Sequence, residues 1–311
     1  MVEILAIGEA LVEVMRTRVD EPLDQTSEFV GPFPSGAPAI FADAAARLGH
    51  RVGFIGAVGD DDFGTCQLDR LRSDGVDVTY CPRLPDRATG VAFVTYFSDG
   101  SRRFLYHLAH AAAGQMPDPP AEYFQGVQFL HLCGSSLSVS ERMRASCYRA
   151  CELVKAAGGR ISFDPNLRPE LLGGEEALRR ICAPVLEAAS VVLPSGAEAE
   201  LLTGVSGAEA ASRTLLARGA EVVALKRGPA GCSLFTKDRE IDIPSYRVTA
   251  VDPTGAGDCF DAGLVVGLLE GLPLDQVGRL ANACGALGAT VKGPMEGAFP
   301  RQTVEQFMGE R

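Results

Sequence analysis

Short hydrophobic runs alternate with amphipathic stretches along this chain, and that alternation predicts an α/β protein. In the first quarter, strands are predicted over about residues 3–8 and 10–16, and a continuous apolar run at 52–58 indicates a strand buried on both faces. Apolar residues at helical spacing predict helices at about 38–48 and from 59 to 73. The pattern therefore brings strands and helices in turn from the start of the chain.

The second half of the chain continues this alternation. The predicted strands are 127–132, 160–163, 191–193 and 221–226, and the predicted helices lie near 139–157, 175–188 and 207–218. Strands that alternate with helices favour parallel pairing, because each helix carries the chain back across the sheet. We expect a mostly parallel sheet with helices on both faces.

Between about residues 77 and 108 the alternation stops and strands follow one another. Residues 91–97 and 103–106 flank a turn at 98–101, which predicts a β-hairpin. Together with the strand near 10–16, this hairpin predicts a second, small sheet built from segments of about 10–34 and 77–112.

Composition narrows the possible partners. The chain has 311 residues, of which 46% are hydrophobic and 22% charged, as is typical of a globular protein. The formal charge of −11 disfavours nucleic acid and anionic membranes as partners. No basic segment precedes the first apolar run, so the N-terminus does not resemble a signal peptide. The nine cysteines show no metal-ligand spacing, and scattered thiols are typical of a protein in a reducing compartment. We therefore expect a cytoplasmic protein with a small-molecule substrate.

The most informative stretch for function is residues 251–264. Pro253 disfavours a regular helix there, Gly255 and Gly257 permit a tight turn, and the apolar spacing that follows predicts a helix. The first N–H groups of a helix lack intrahelical partners, so an anion is favoured at that end. Asp258 falls in the first turn, where it either reaches the bound anion or serves only as a common helix-start residue.

The complete run Asp-x-Thr-Gly-Ala-Gly-Asp-x-Phe-x-x-Gly at 252–263 closely resembles the C-terminal signature of the ribokinase-like (phosphofructokinase-B-type) carbohydrate kinases. The resemblance implies a single ribokinase-like domain over 1–311, a three-layer α/β/α sandwich with a small β-sheet lid. It implies Asp258 as the general base that takes the proton from a substrate hydroxyl. It also implies that the amides of Gly255, Ala256 and Gly257 form an anion hole, with ATP and Mg²⁺ as cofactors.

Two further stretches follow predicted strands, at the sheet edge where ligands bind in open α/β sheets. Asp164-Pro165-Asn166-Leu167-Arg168 is either a plain turn or the Asp-x-Asn-x-Arg of ketohexose and ketodeoxygluconate kinases. That resemblance implies Arg168 at the substrate and Asn166 on the nucleotide side.

Residues 194–198 resemble the family's Asn-x-x-Glu, which implies that Glu198 binds Mg²⁺ through water and that Ser195 lies at the nucleotide. A helix start capped by serine is an equally good local explanation.

The remaining nucleotide contacts are implied by weaker matches. Residues 226–231 resemble the Gly-x-x-Gly turn that lies against the nucleotide, which implies contacts from Lys226, Gly228 and Gly231. Asn282 matches the position that lines the adenine side.

The expected sugar contacts depart from the family pattern. The resemblance implies substrate contacts from Glu13, Gly36, Ala37, Tyr106, Arg168 and Asp258. However, residues 35–40 read Ser-Gly-Ala-Pro-Ala-Ile in place of Gly-Gly-x-x-x-Asn, and Glu13 stands where Asp is frequent. Leu108 occupies the position of an arginine in ketodeoxygluconate kinases. His107 and His110 are candidates to compensate, or are simply polar packing residues.

The sequence thus predicts ATP-dependent phosphorylation of a hydroxyl of a small sugar or sugar acid, with 2-keto-3-deoxygluconate or a ketohexose favoured. A nucleoside kinase of the same family, or a non-catalytic nucleotide- or sugar-binding sensor, stays open as an alternative. A monovalent cation beside residues 252–254 and a homodimer formed through the lid are further expectations from the resemblance.

Overall fold

The computed structural model describes residues 1–167 and 173–309. Fourteen strands fall within these residues: β1 (Ile4–Ile7), β2 (Leu11–Arg16), β3 (Phe29–Ser35), β4 (Val52–Ile55), β5 (Val58–Gly59), β6 (Arg83–Leu84), β7 (Gly90–Tyr96), β8 (Arg102–His107), β9 (Phe129–Cys133), β10 (Arg160–Asp164), β11 (Val191–Val192), β12 (Val222–Lys226), β13 (Cys232–Phe235) and β14 (Glu240–Ile243). The α-helices within the same residues are α1 (Ala37–Arg47), α2 (Asp62–Ser73), α3 (Gly134–Val139), α4 (Glu141–Ala156), α5 (Glu175–Ala188), α6 (Glu198–Thr203), α7 (Ala208–Ala217), α8 (Ala256–Leu269), α9 (Leu274–Gly288) and α10 (Arg301–Gly309).

The central sheet has eight strands in the order β14-β13-β12-β11-β10-β9-β1-β4. Pairing is parallel from β12 to β4, with Ile4 opposite both Val52 and Phe129, and antiparallel at β13 and β14. Helices α1, α8 and α9 pack on one face, and α4, α5 and α7 on the other, which leaves every residue of β1 buried. The predicted three-layer sandwich with a mostly parallel sheet is confirmed.

Several boundaries differ from the prediction. The apolar run at 52–58 is two strands, because the chain leaves the central sheet after Ile55 and Val58–Gly59 pairs with Arg83–Leu84 instead. A hydrophobic run reports burial and not which neighbour a strand pairs with, so this break was not predictable. The hairpin β13–β14 and the helices α9 and α10 were also not predicted. Within the described residues, no helix is long and apolar enough to cross a membrane.

A separate four-stranded sheet, ordered β3-β2-β7-β8, is referred to below as the lid sheet. It contains the predicted hairpin, in which Tyr96 pairs with Arg102 and Ala92 with Tyr106. Residues 77–84 were predicted within the lid, but Asp77 pairs with Gly53 and β6 pairs with β5, so they lie on the main body. The lid sheet therefore spans a narrower part of the predicted 77–112 segment.

Candidate active site

A cavity of about 1440 Å³ lies between the lid sheet and the carboxyl ends of the central strands. Every predicted site residue in the described part of the chain lines it: Glu13, Gly36, Ala37, Tyr106, Asn166, Ser195, Glu198, Lys226, Gly228, Gly231, Gly255, Ala256, Gly257, Asp258 and Asn282. Arg168 lies outside the described residues. Residues from both ends of the chain thus meet at one place.

The predicted anion hole, Gly255, Ala256 and Gly257, is called the cradle below. Gly255 is the residue before helix α8 and has the left-handed φ of 81°. A Cβ on Gly255 would lie 2.1 Å from the Pro294 carbonyl oxygen, so only glycine fits at this turn. A Cβ on Gly257, by contrast, would meet only the Lys226 ammonium, at 3.8 Å. The cradle is thus tightly packed at its entry and open towards the cavity.

Asp258 follows the cradle in the first turn of α8 and is only 8% exposed. Its carboxylate lies next to two other potential metal ligands, since donor atoms of Cys133, Asp164 and Asp258 all lie within 4.8 Å of one another. Burial strongly raises the pKa of the Cys133 thiol, which keeps it neutral and a poor ligand. Asp164 supplies the hard carboxylate oxygen that Mg²⁺ prefers, so this part of the site fits that ion.

A buried ion cluster lies beside the cradle. The Lys226 ammonium is 3.0 Å from an oxygen of Asp164 and 3.0 Å from an oxygen of Asp261. Burial by itself would lower the pKa of Lys226, but these two carboxylates raise it above its usual value, so the ammonium stays charged. Lys226 was predicted to contact the nucleotide. Its charge is instead held by two aspartates, and a nucleotide contact stays a prediction.

Glu198 ties together the loops that follow β10 and β11. Its two carboxylate oxygens accept hydrogen bonds from the backbone N–H groups of Leu167, at 2.8 Å, and Ser195, at 2.7 Å. Burial, together with the nearby charge of Asp164, raises the pKa of Glu198. Each oxygen keeps a second lone pair and Glu198 lines the cavity, which suits a ligand to metal-bound water because Mg²⁺ usually keeps several waters.

Two departures from the family pattern contact each other. The Ser35 hydroxyl donates a 2.6 Å hydrogen bond to one oxygen of Glu13. The other oxygen, Oε2, is buried and has no hydrogen-bond donor among the described residues. Burial raises the pKa of Glu13 to about 7, and the charge of Asp252 adds to the shift. Ser35 and Glu13 thus form one unit with a spare acceptor next to the cavity.

Asn282, predicted on the adenine side, has its amide committed to the protein. The amide donates to the backbone carbonyls of Ile243, at 3.1 Å, and Pro244, at 3.2 Å, and so fixes the chain after β14.

The idea that His107 and His110 replace the missing sugar contacts is wrong. Both are exposed outside the cavity, and the His107 ring packs edge-on against Phe93 on the outer face of the lid sheet.

Glu9 and Arg102 are among the polar residues that line the cavity and that the sequence did not predict as site residues. Glu9 follows β1, is buried, and accepts hydrogen bonds from the hydroxyls of Ser135 and Ser136. Arg102 extends from β8 and donates to the Thr254 hydroxyl at 2.9 Å. A charged residue two positions after a fully apolar strand was a usable signal for Glu9, since that edge of the sheet binds ligands. Arg102 had no comparable signal.

Comparisons with known proteins agree with this geometry. The model of the pfkB family of carbohydrate kinases matches residues 1–301. Fructokinase-1 of Oryza sativa subsp. japonica is 34% identical, with 93% of this chain and 92% of the relative aligned. The 2-dehydro-3-deoxygluconokinase of Bacillus subtilis (strain 168) is 34% identical, over 88% of this chain and 86% of the relative.

The structural neighbours include a candidate Ribokinase II from E. coli, crystallised in complex with ATP and Mg²⁺. It is 40% identical, has a TM-score of 0.94, and aligns over 100% of both chains. The family match covers nearly the whole chain and confirms both the family and the carbohydrate kinase expected from the motif at 252–263. This protein therefore belongs to the pfkB family of carbohydrate kinases.

Proposed function

We propose that this protein transfers the γ-phosphoryl group of ATP to a hydroxyl of a neutral ketohexose, with fructose as the first candidate. One observation carries the proposal. The buried Asp258 carboxylate stands directly after the open cradle, in a cavity that is enclosed by the lid sheet and rimmed by Glu9 and Glu13. A base, an anion hole and hydrogen-bond acceptors for a polyol therefore share one cavity.

Asp258 is the proposed general base. It accepts the proton of the attacking hydroxyl as the phosphoryl group arrives, a contribution typically of about 10²–10⁴-fold in rate. The cradle amides lie at the N-terminus of α8, where the helix dipole favours the negative charge that develops on the phosphoryl oxygens. Donors of this kind contribute roughly 2.7–4 kcal/mol each. The lid sheet limits the access of water, which competes as an acceptor.

Mg²⁺ fits beside Asp258, where Asp164 lies, and the nucleotide fits the part of the cavity lined by the turn after β12 and by α9. When bound, Mg²⁺ neutralises charge on the phosphates. Asp164 and Glu198 are the residues that would hold it, the latter through water. The turn at Gly228–Ala230 and the Asn282 side of α9 line the cavity and would accommodate the nucleotide. The ATP and Mg²⁺ complex of the E. coli relative supports both cofactors. A monovalent-cation requirement stays a prediction.

Charge at the sugar end favours a neutral substrate. Glu13 accepts a hydroxyl donor readily, and in its charged form it would repel a carboxylate held in the same buried space. Leu108 lines the cavity where ketodeoxygluconate kinases have an arginine. Arg102 donates to Thr254, and Lys226 is held between Asp164 and Asp261. A ketohexose therefore fits this environment better than a sugar acid.

A sugar acid is the second candidate, because Arg168 was predicted at the substrate and the Bacillus subtilis relative is a 2-dehydro-3-deoxygluconokinase.

Pairing of two copies through the lid also stays a proposal. It is supported by the outer face of the lid sheet, where Leu105 is 48% exposed beside Phe93. The intact Asp258 weighs against a sensor without turnover.

The test is ADP release with saturating Mg²⁺-ATP and a panel of fructose, 2-keto-3-deoxygluconate and ribonucleosides, with the product identified by NMR. We expect the highest kcat/KM with fructose. Arg168→Ala should lower kcat/KM about ten- to a hundred-fold on the sugar acid, as for a lost hydrogen bond to a charged group, and less on fructose. Arg149→Ala, on the exposed face of α4, is the matched control.

Three outcomes would change the assignment. A preference for the sugar acid that depends on Arg168 replaces the ketohexose with the second candidate. A preference for a ribonucleoside moves the protein to the nucleoside kinases. No turnover with any acceptor refutes the proposed activity in favour of a sensor.

A further inference from the structure

Two neighbouring side chains of the lid sheet reach the segment that enters the cradle. Tyr96 on β7 and Arg102 on β8 are directly paired across the hairpin. The Tyr96 hydroxyl donates to Asp252 and lies 3.1 Å from each carboxylate oxygen. Arg102 donates to the Thr254 hydroxyl at 2.9 Å. The lid sheet is thus attached to residues 252–254, immediately before Gly255.

Asp252 holds this segment in place. Its carboxylate is 1% exposed and accepts hydrogen bonds from the backbone N–H groups of Thr254, at 3.0 Å, and Gly293, at 3.1 Å. Those two bonds fix the turn that leads into the left-handed Gly255. A buried carboxylate requires donors to offset its lost hydration, and Tyr96 supplies one from a different sheet. The position of the cradle entry therefore depends on the lid sheet.

Glu13 lies close to the same contacts. It extends from β2, the strand next to β7, and the charges of Glu13 and Asp252 both act on the Tyr96 hydroxyl, whose pKa is raised chiefly by burial. Glu13 has the spare acceptor oxygen proposed above for a sugar hydroxyl. The residue that would bind the sugar and the residue that binds Asp252 thus belong to adjacent strands of one small sheet.

We propose that Tyr96 and Arg102 form a latch that aligns the cradle when the lid sheet is seated over the sugar. The latch rests on the proposed function and adds two positioning residues to it. Tyr96 is its main member, because its bond is to a buried carboxylate, whereas Arg102 is largely exposed and bonds a hydroxyl. Sugar binding and phosphoryl transfer are coupled through these two bonds.

Tyr96→Phe tests the latch by deleting one hydroxyl. We expect kcat with fructose to fall about ten- to a hundred-fold, as for a lost hydrogen bond to a charged group, while KM for ATP stays within about twofold. Tyr123→Phe is the matched control, because it also loses a tyrosine–aspartate bond, 2.7 Å to Asp77, outside the cavity. The control should keep kcat even if it lowers the melting temperature as much.

Arg102→Met should lower kcat less than Tyr96→Phe, and Arg102→Lys should restore part of the loss. Arg103→Met, the next residue on the opposite face of β8, should have no effect. The double variant Tyr96→Phe/Arg102→Met should lower kcat by a smaller factor than the product of the two single-variant factors, because both bonds fix the same segment.

Hydrogen exchange of the amides at 252–258 gives a readout that does not depend on turnover. We expect faster exchange there in Tyr96→Phe and unchanged exchange in Tyr123→Phe. Wild-type kcat in Tyr96→Phe, equal kcat losses in the two tyrosine variants, or unchanged exchange at 252–258 would each overturn the latch. If the wild-type protein phosphorylates no sugar, the proposed function is refuted. Hydrogen exchange at 252–258 in Tyr96→Phe still tests the latch in that case, because it does not depend on turnover.

Discussion

Gly257→Ala is predicted to lower the catalytic rate without lowering the stability of the folded protein. Gly257 lies in the first turn of α8, and outside that helix's own backbone a Cβ there would approach only the Lys226 ammonium within 4 Å, at 3.8 Å. That distance is ordinary van der Waals contact. The added methyl group would therefore occupy only the open space of the cradle, where the phosphoryl oxygens are proposed to bind.

The expected changes in stability and rate have opposite signs. Alanine is favoured over glycine inside a helix by about 0.5–1 kcal/mol, so the variant should be at least as stable as the wild type. If the methyl group displaces the anion from one amide donor, the loss is roughly 2.7–4 kcal/mol, which is about 10²–10³-fold in kcat. Opposite signs rule out misfolding as the cause of the lost activity.

The assay combines thermal unfolding with coupled ADP release at saturating ATP and sugar. Gly255→Ala is the contrasting variant, since its Cβ would lie 2.1 Å from the Pro294 carbonyl oxygen at a φ of 81°. It should lower both the melting temperature and the activity. A Gly257→Ala protein with wild-type kcat would refute the reasoning, because an anion bound at these amides cannot share its space with the methyl group.

Two other predictions concern the proton and the sugar. Asp258→Asn should lower kcat by about 10²–10⁴-fold with little change in KM for ATP, and more than about a tenth of the wild-type rate would exclude Asp258 as the base. Glu13, with a pKa raised to about 7, loses its proton as the pH rises through neutrality. Because the carboxylate is the stronger acceptor, kcat/KM for the sugar should rise between about pH 6 and pH 8. Glu13→Gln should flatten that rise, and an unchanged profile would remove Glu13 from sugar binding.

The sequence predicted the parts of the site that depend on local chemistry. The motif at 252–263 specifies a turn followed by a helix, since Pro253 and the glycines limit the backbone there, and the structure has Gly255 ahead of α8. The Tyr96–Arg102 hairpin followed from alternation and its turn. Both features arise within a few residues of chain, where propensity and spacing act directly.

Pairings between distant segments needed the tertiary structure. The sequence gives no indication that Ser35 and Glu13 share a hydrogen bond, that Lys226 is held by Asp164 and Asp261, or that Tyr96 reaches Asp252 across 156 residues. Hydrophobic patterning determines which residues are buried and which elements form, because burial depends on the face of a helix or strand. Which polar groups meet inside the cavity depends on how the sheets and helices pack, and only the folded chain decides that.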